Sequence, residues 1–539
     1  MPQPATNPTA VQASRWHLAH WLAAAAGVAL MLAGLAGLLR AQSGLDIHST
    51  RVGTAPVTIF QPKDAPPGPV VVVAHGFAGS RQLMYPLAAT LAHNGYRAVV
   101  FDFPGHGRNT KPLAGEIGEP SRAKALLDAL TEVVDFARVL PGGDGRLALL
   151  GHSMAGDIAT RYASAHPGVD AIVAVSPYLS LPVDQLPVVD LLFVYGEWEP
   201  KIIQMQGREA VAAVAGIAPD AVETDVTYGS LEDGSARRLV IADGVEHIGV
   251  LYSATSLRAA RDWLNAVFRD GSGAGSQSTS QTGAATAGTI DRRGLPLGLY
   301  YLGVLLLAWP LALLLPVVSA ERLGAGSRAD WGWRRFWPIA VVPAILTPLL
   351  LWPMPTDFLA IAIGDYIALH FGVYGLLTLA GLWRADALPR LSWPSLPALV
   401  VAIGLVALFE VLALSLPTDL FVASFLPAPN RLPTVAALFA GTLLWFVADE
   451  WLTRGPQAPR LGYALTKFLF LVSLMLAVAL NLNELFFLVI IIPAILVLFL
   501  VYGLFSGWIY RRTGQPLVAA VTNALAFASA IAVSFPILG

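Results

Sequence analysis

The pattern of apolar and polar positions divides the chain into four stretches. After a polar start, Leu18 to Leu39 is an almost uninterrupted apolar run between Arg15 and Arg40, close to the ~20 residues that cross a bilayer as a helix. It is longer than the apolar core of a cleaved signal peptide and has no small-x-small site at its end, so it predicts an uncleaved signal anchor. From Asp46 to Arg269 short β-branched runs alternate with amphipathic stretches, the pattern of buried, mostly parallel strands separated by helices. The runs at 70–73, 98–101, 147–150, 171–175, 191–195 and 239–241 predict strands, and 122–140 predicts one of the intervening helices. Residues 271–289 are nearly all Gly, Ser, Thr, Ala and Gln, too poor in large apolar groups to offset the entropy of ordering. Beyond Gly294 about eight further apolar spans are predicted, near 295–318, 336–353, 358–382, 396–416, 434–451, 462–482, 484–508 and 516–538. The expected organisation is a tail and transmembrane helix over 1–45, an α/β domain over 46–269, a linker over 270–293 and an all-α polytopic membrane domain over 294–539.

Composition agrees with this division. Over 539 residues, 55% are hydrophobic and 13% charged, and the mean hydropathy of +0.61 is too high for a protein wholly in water. The net charge of -2 lacks the basic excess that a nucleic-acid partner requires. With no cysteine in the chain, thiolate metal sites and cysteine nucleophiles are excluded, so any nucleophile is an oxygen. Arginines alternate between the connections: Arg322, Arg328, Arg334 and Arg335, then Arg384 and Arg390, Arg454 and Arg460, and Arg511 and Arg512 fall on one side, with little beyond Arg431 on the other. The positive-inside bias makes the arginine-rich side cytoplasmic. The α/β domain is then expected on the outer face of the cytoplasmic membrane, towards the periplasm or cell exterior, as counting spans from a cytoplasmic N-terminus also gives. Arg292 and Arg293 run against the bias.

Within the α/β domain the chemistry concentrates in three segments. Gly151-His152-Ser153-Met154-Ala155-Gly156 directly follows the strand at 147–150, where a sharp strand-to-helix turn would hold Ser153 exposed above the sheet. A serine hydroxyl is a weak nucleophile at neutral pH and needs a base oriented by a third group. His247 lies in the loop after the strand at 239–241, whereas His75, His106 and His152 sit in Gly-rich turns and His93 and His166 at helix ends. For the acid, Gly196-Glu197-Trp198-Glu199-Pro200 offers two carboxylates after the strand at 191–195. Glu199 is preferred and Glu197 is the alternate, with Asp184 and Asp190 more remote. His75-Gly76-Phe77-Ala78-Gly79 follows the strand at 70–73 and places the backbone N–H groups of Phe77 and Met154 as an oxyanion pair, each donor contributing roughly 3 kcal/mol.

Together His75-Gly76-Phe77-Ala78-Gly79-Ser80, Phe101-Asp102-Phe103-Pro104-Gly105-His106-Gly107-Arg108 and the Ser153 hexapeptide resemble the α/β-hydrolase superfamily, especially its monoacylglycerol-lipase and serine-aminopeptidase-like branch, over residues 50–268. The resemblance implies an esterase, lipase or peptidase reaction through an acyl-enzyme, without a cofactor, and a chain order of serine, acid, histidine. Ala155 stands where glycine is commoner, and Glu199 where relatives usually carry aspartate. Only 176–190 separates two late strands where many relatives insert a helical cap. This predicts a broad, shallow site for a lipidic or polymeric acyl substrate, with Phe77, Met154, Tyr178, Leu179 and Trp198 as a candidate apolar wall.

In the membrane domain, Asp365, His370, Glu410, Asp449, Glu450 and Lys467 lie within predicted spans, where an ionisable group costs about 2.5–3.5 kcal/mol and calls for a partner or a role. Asp449-Glu450-Trp451-Leu452-Thr453-Arg454 resembles the Glu-Glu-x-x-x-Arg motif of CAAX prenyl-protease and bacteriocin-immunity intramembrane metalloproteases, and 503–528 resembles their closing helices. Asn523 stands where those enzymes carry histidine, Phe527 where they carry asparagine, and no histidine follows His370. The resemblance therefore implies a degenerate relative without a complete metal site. The other reading pairs Asp449 or Glu450 with Arg454 near the cytoplasmic interface. The expected function is a membrane-anchored serine hydrolase. The alternative is a lipid-handling or transporter-like membrane protein with an accessory hydrolase, peptidase or acyltransferase domain.

Overall fold

The structure, a computed structural model, describes residues 8–115, 119–270, 288–356, 358–390 and 395–539. They divide into two compact units. One is built from residues up to Leu35, Gly298–Pro417 and Phe425–Val533; the other from Ala36–Leu297, Thr418–Ser424 and Ser534–Gly539.

After α1 (Pro8–Ala41), the second unit holds β1 (Leu45–Val52), β2 (Ala55–Pro62), β3 (Gly68–Ala74), α2 (Tyr85–His93), β4 (Arg97–Phe101), α3 (Pro120–Arg138), β5 (Gly143–His152), α4 (Met154–Ala165), β6 (Ala171–Val175), β7 (Asp190–Gly196), α5 (Lys201–Ala215), β8 (Thr227–Tyr228), β9 (Arg237–Ala242) and α6 (Ala254–Asp270). The sheet order is β1-β2-β4-β3-β5-β6-β7-β9-β8. The run from β4 to β9 is parallel, and the two edges are antiparallel. Strand alternation builds a core on each face. Val70, Val72 and Ala74 point towards α3, α4 and α5, whereas Val71 and Val73 point towards α2 and α6. On α3, Leu126, Leu130, Val133, Val134 and Ala137 form the buried stripe that helical periodicity requires. The order of strands reverses between β3 and β5, which opens a crevice at their carboxyl ends.

The six predicted strands correspond to β3, β4, β5, β6, β7 and β9. The β1–β2 hairpin and β8 were not expected: β1 exposes most of its side chains, β8 is only 2 residues long, and the apolar run of β2, though buried, is interrupted by Pro56 and Thr58. The predicted linker lies mostly at 271–287, outside the described residues. Its end is held in place. Asn94 Nδ2 donates to Thr289 O at 2.7 Å, Asp291 N to Thr90 Oγ1 at 3.0 Å, and the buried Arg293 pairs with Asp291 at 2.6 Å. The last predicted span ends early, at Ser534, because Phe535 precedes Pro536 and a residue before proline leaves the helical region. Residues 534–539 join the second unit instead. Leu113 N donates to Ile537 O and Ile537 N to Gly105 O, both at 2.9 Å. Segment Thr418–Ser424 does likewise, through Arg108–Asp419 at 2.6 Å and Ser424 N to Ser80 Oγ at 2.9 Å.

Asp102, fully buried at the end of β4, holds the loops beside β3 and β4 together. It pairs with the Arg81 guanidinium, accepts from Arg81 N at 2.8 Å and accepts from Arg108 N at 3.1 Å.

In the other unit, α7 (Gly294–Leu311), α8 (Trp333–Leu351), α9 (Gly364–Arg384), α10 (Leu396–Glu410), α11 (Leu416–Phe421), α12 (Leu432–Leu452), α13 (Gly462–Leu480), α14 (Leu482–Thr513) and α15 (Pro516–Ser534) supply the helices, some of which extend into the second unit. Among the described residues, nine apolar segments are long enough to cross a membrane: Leu18–Ala41 and eight between Gly294 and Ser534. They leave large side chains outside, such as Trp21, Leu32, Leu405 and Leu500, as a lipid-facing surface requires. Small residues bring backbones together, as is usual between membrane helices. A Cβ at Gly441 of α12 would lie 2.2 Å from Ala368 O of α9, and one at Gly27 of α1 would lie 2.8 Å from Gly303 O of α7. Phe371, Trp445, Phe446, Phe470 and Phe527 pack ring against ring beside them.

Removing one partner of a buried ion pair leaves the other charge uncompensated. Asp102→Ala is therefore expected to destabilise the second unit by about 3–5 kcal/mol, read as a lowered thermal midpoint of the detergent-solubilised protein. An unchanged midpoint would show that Asp102 does not carry these loops.

Candidate active site

The turn between β5 and α4 is sharp and closely packed. Ser153 adopts φ 54° and ψ -120°, a strained conformation for a residue with a side chain. A Cβ at Gly151 would lie 2.3 Å from Ala155 O, so only glycine permits this turn. Gly156 N donates to Ser153 O at 2.9 Å, and Ser153 N to Val175 O at 2.8 Å, which tie the strained residue to the helix and to β6.

The structure brings Ser153, His247 and Glu199 together from three separate loops. His247 Nε2 lies 3.0 Å from Ser153 Oγ, and His247 Nδ1 lies 3.0 Å from Glu199 Oε1. Glu199 is buried and, among the described residues, its Oε2 has no hydrogen-bond partner, so the carboxylate's hydrogen-bonded contact there is the imidazole. Glu197, the alternate acid, faces elsewhere and accepts from Gly244 N at 2.8 Å. Asp190 accepts from Ala236 N at 3.1 Å, and burial pushes its carboxyl up to about 6. Gln204 holds the acid loop by donating to Gly196 O at 2.8 Å and to Glu199 O at 3.3 Å. Glu197 N donates to Ala242 O at 2.9 Å and Trp198 N to Val245 O at 3.1 Å, so the acid and base loops are stitched to each other.

Two further histidines set the loops around Ser153. His75 Nδ1 donates to Gly76 O at 2.8 Å and its Nε2 accepts from Phe103 N at 3.1 Å, which fixes one neutral tautomer. His152 Nε2 donates to His247 O at 2.9 Å. Burial lowers the pKa of both rings, that of His152 to about 3, because a cation would lose its hydration there. Sequence reasoning gave neither ring a role beyond its turn and missed Gln204 altogether. No local pattern marks them, since each acts on a backbone carbonyl of a distant loop. Gly76 lies so close to the nucleophile that a Cβ there would be 2.9 Å from Ser153 Cβ, so Phe77 borders the serine. Met154, the first residue of α4, carries one of the N–H groups that a helix leaves unpaired at its start.

Of the candidate wall, Phe77 and Met154 are half-buried beside Ser153, whereas Leu179 belongs to the core. Tyr178 and Trp198 are exposed. The β6–β7 connection carries only a short turn, Val183–Gln185, so no cap is inserted there. Residues 534–539 bring Phe535 against the Phe77 ring, with centroids 6.4 Å apart.

Asp449, Glu450 and Arg454 lie together in the helical unit. Glu450 accepts from Tyr463 OH and Ser506 Oγ at 2.7 Å and from Arg454 Nε at 3.1 Å. Asp449 pairs with Lys467, and the Arg454 guanidinium stacks on Tyr463, 4.2 Å from the ring centroid. Each charge in this set is matched. His370 Nε2 meets Ser473 Oγ at 3.1 Å. Among the described residues, no group of three or more His, Asp or Glu side chains is arranged to hold a metal ion.

A family model for the alpha/beta hydrolase fold matches residues 69–202. The domain has the alpha/beta hydrolase fold. Similar solved structures include a predicted CIB-like hydrolase from Thermoplasma acidophilum (17% identity, 41% of this chain and 98% of that one, TM-score 0.32) and a dienelactone hydrolase from Anabaena variabilis (19%, 42% and 98%, TM-score 0.30). A bacterial membrane phospholipase A is similar at 17% identity over 48% of this chain and 99% of that one, with a TM-score of 0.30. No curated protein matches the chain.

The buried histidines give the hydrolase domain a pH dependence of defined sign. An unfolded His152 binds its proton near 6.5, whereas the folded ring stays neutral down to about 3. Its contribution to stability is complete above pH 6.5 and is lost as pH falls from there towards 3; Asp190 acts in the opposite sense. Relative to His152→Gln, the wild type is expected to lose about 2 kcal/mol between pH 7 and pH 5, read from thermal midpoints of the two proteins. Parallel pH profiles would contradict a buried neutral ring.

Proposed function

We propose that the chain is a membrane-integrated serine hydrolase that cleaves carboxylic esters through an acyl-enzyme. The observation that carries this reading is the unbroken line from Ser153 Oγ through His247 to Glu199, with both links at 3.0 Å. Ser153 Oγ attacks the ester carbonyl while His247 Nε2 takes its proton, and the imidazolium donates from Nδ1 to Glu199. The N–H groups of Phe77 and Met154 receive the developing oxyanion. Collapse breaks the bond to the alcohol, which leaves with the proton from His247. Water then attacks the acyl-enzyme, giving its proton to His247, and release of the acid returns that proton to Ser153.

The apolar helices and the rings of Phe77 and Phe535 support a lipidic acyl substrate. The alternation of arginines between loops supports a hydrolase domain on the exoplasmic side of the cytoplasmic membrane. Arg293, one of the two arginines that run against this bias, is neutralised by Asp291 inside the domain. The matched charges around Glu450 favour a packing role for that cluster and give a transport reading no observation of its own.

A fluorophosphonate probe is expected to label the wild type and not Ser153→Ala. Glu199→Gln is expected to lower kcat by roughly 10³–10⁴, whereas Glu197→Gln stays within a few-fold of wild type. Labelling that survives Ser153→Ala, or equal effects of the two glutamine variants, would defeat the assignment. Topology is testable because the chain has no cysteine. With Val139→Cys and Arg322→Cys placed singly at exposed positions, a membrane-impermeant maleimide should label only the first in intact cells. The reverse pattern would place the hydrolase domain in the cytoplasm.

A further inference from the structure

Arg122 has no counterpart in the mechanism above. It lies in the first turn of α3 and is buried, yet neither terminal nitrogen of its guanidinium has a hydrogen-bond partner among the described residues. The neighbouring carboxylate is engaged elsewhere, since Glu119 Oε2 accepts from Ser121 Oγ at 2.9 Å. What the guanidinium does touch is the ring of Phe77, 5.4 Å from its centroid. Phe77 follows the glycine packed on Ser153 and also meets Phe535 and, at 6.1 Å, His106. A bare cation thus lies one aromatic ring away from the nucleophile's border.

This arrangement opposes folding in three ways. A buried charge without a partner loses hydration, its five donors are left largely unused, and a cation in the first turn of a helix meets the positive end of the macrodipole. Stacking on Phe77 returns only about 0.5–2 kcal/mol. Burial lowers the Arg122 pKa to about 10, so the group is still charged at neutral pH. The same features that disfavour an empty guanidinium favour an anion beside it, because the side chain and the helix start present positive charge together.

We infer that Arg122 binds an anionic group carried by the substrate, a phosphate or carboxylate near the scissile ester, so that the enzyme prefers acidic esters over neutral ones of the same length. The inference rests on the serine-hydrolase reading for the word substrate, while the anion site itself stands on the unpaired, buried guanidinium. Arg122 is then a specificity residue. A planar fork suits a bidentate oxyanion better than an ammonium does, so lysine is expected to replace it only in part.

The test uses the full chain in neutral detergent, with wild type, Arg122→Met and Arg122→Lys compared. Calorimetric titration with decyl phosphate is expected to show a Kd at least tenfold weaker for Arg122→Met, with Arg122→Lys between the two. In parallel, the kcat/KM ratio for a lysophosphatidic acid over the matching monoacylglycerol, and for a p-nitrophenyl hemiadipate over the neutral valerate, is expected to fall at least tenfold in Arg122→Met. The phosphate and carboxylate arms separate the two forms of anion. Equal decyl phosphate affinity in wild type and both variants would overturn the inference whatever the hydrolysis assays give. Inorganic phosphate binding as tightly as decyl phosphate would assign the site to a free anion and overturn the substrate part. Arg122-dependent binding without any Ser153-dependent turnover would uphold the anion site and overturn the hydrolase reading instead.

Discussion

Everything at the candidate site depends on how closely β5 and α4 approach at the Ser153 turn. A side chain at Gly151 would strike the Ala155 carbonyl at 2.3 Å, and that closeness forces Ser153 to φ 54°. The strain persists because the surrounding structure over-determines it. β5 is flanked by β3 and β6 in register, both faces of the sheet are filled, and the serine's own backbone is bonded to β6 and α4. The elbow fixes a point in space, and the other loops are arranged around that point.

Those loops are placed by polar groups that act on backbone. Asp102 ties the start of α2's approach to the loop after β4, His75 joins the loop after β3 to Phe103, His152 holds the carbonyl of His247, and Gln204 holds the acid loop. Each is buried, so each interaction is strong in low dielectric and costly to leave unmade. The residues with chemical roles are therefore few, and the residues that position them are as numerous. Arg122 is the exception to this economy: it is buried beside the same loops without a hydrogen-bond partner for either terminal nitrogen.

The helical unit solves a different problem. Its segments are long and apolar enough to cross a membrane, and they associate through close backbone approach at glycines and through paired polar groups, the contacts that hold helices together where apolar burial supplies no drive. Gly27 with Gly303 and Gly441 with Ala368 provide the first. Glu450 with Arg454, Tyr463 and Ser506, and Asp449 with Lys467, provide the second. Asp449, Glu450, Arg454 and Lys467 thus find partners, whereas Glu410 Oε1 is buried without one among the described residues, and no cluster of metal-ligand type forms among those residues.

The sequence by itself determined the elements whose signal is local. Buried strands read as short apolar runs, spans as long ones, and the serine turn as small residues at fixed spacing, because each pattern is imposed by the geometry of one element. The edge strand β1 left little trace, since an exposed edge needs few apolar residues. The preference for Glu199 over Glu197 was legible only as a slot in the Gly196–Pro200 turn; the turn after β7 points Glu199 at the imidazole, 3.0 Å away, and Glu197 at Gly244 N. Only the tertiary structure brought Phe535 to Phe77 and left the Arg122 terminal nitrogens without a hydrogen-bond partner among the described residues. These are contacts between residues remote in sequence, and no periodicity within a segment records what another segment will place against it.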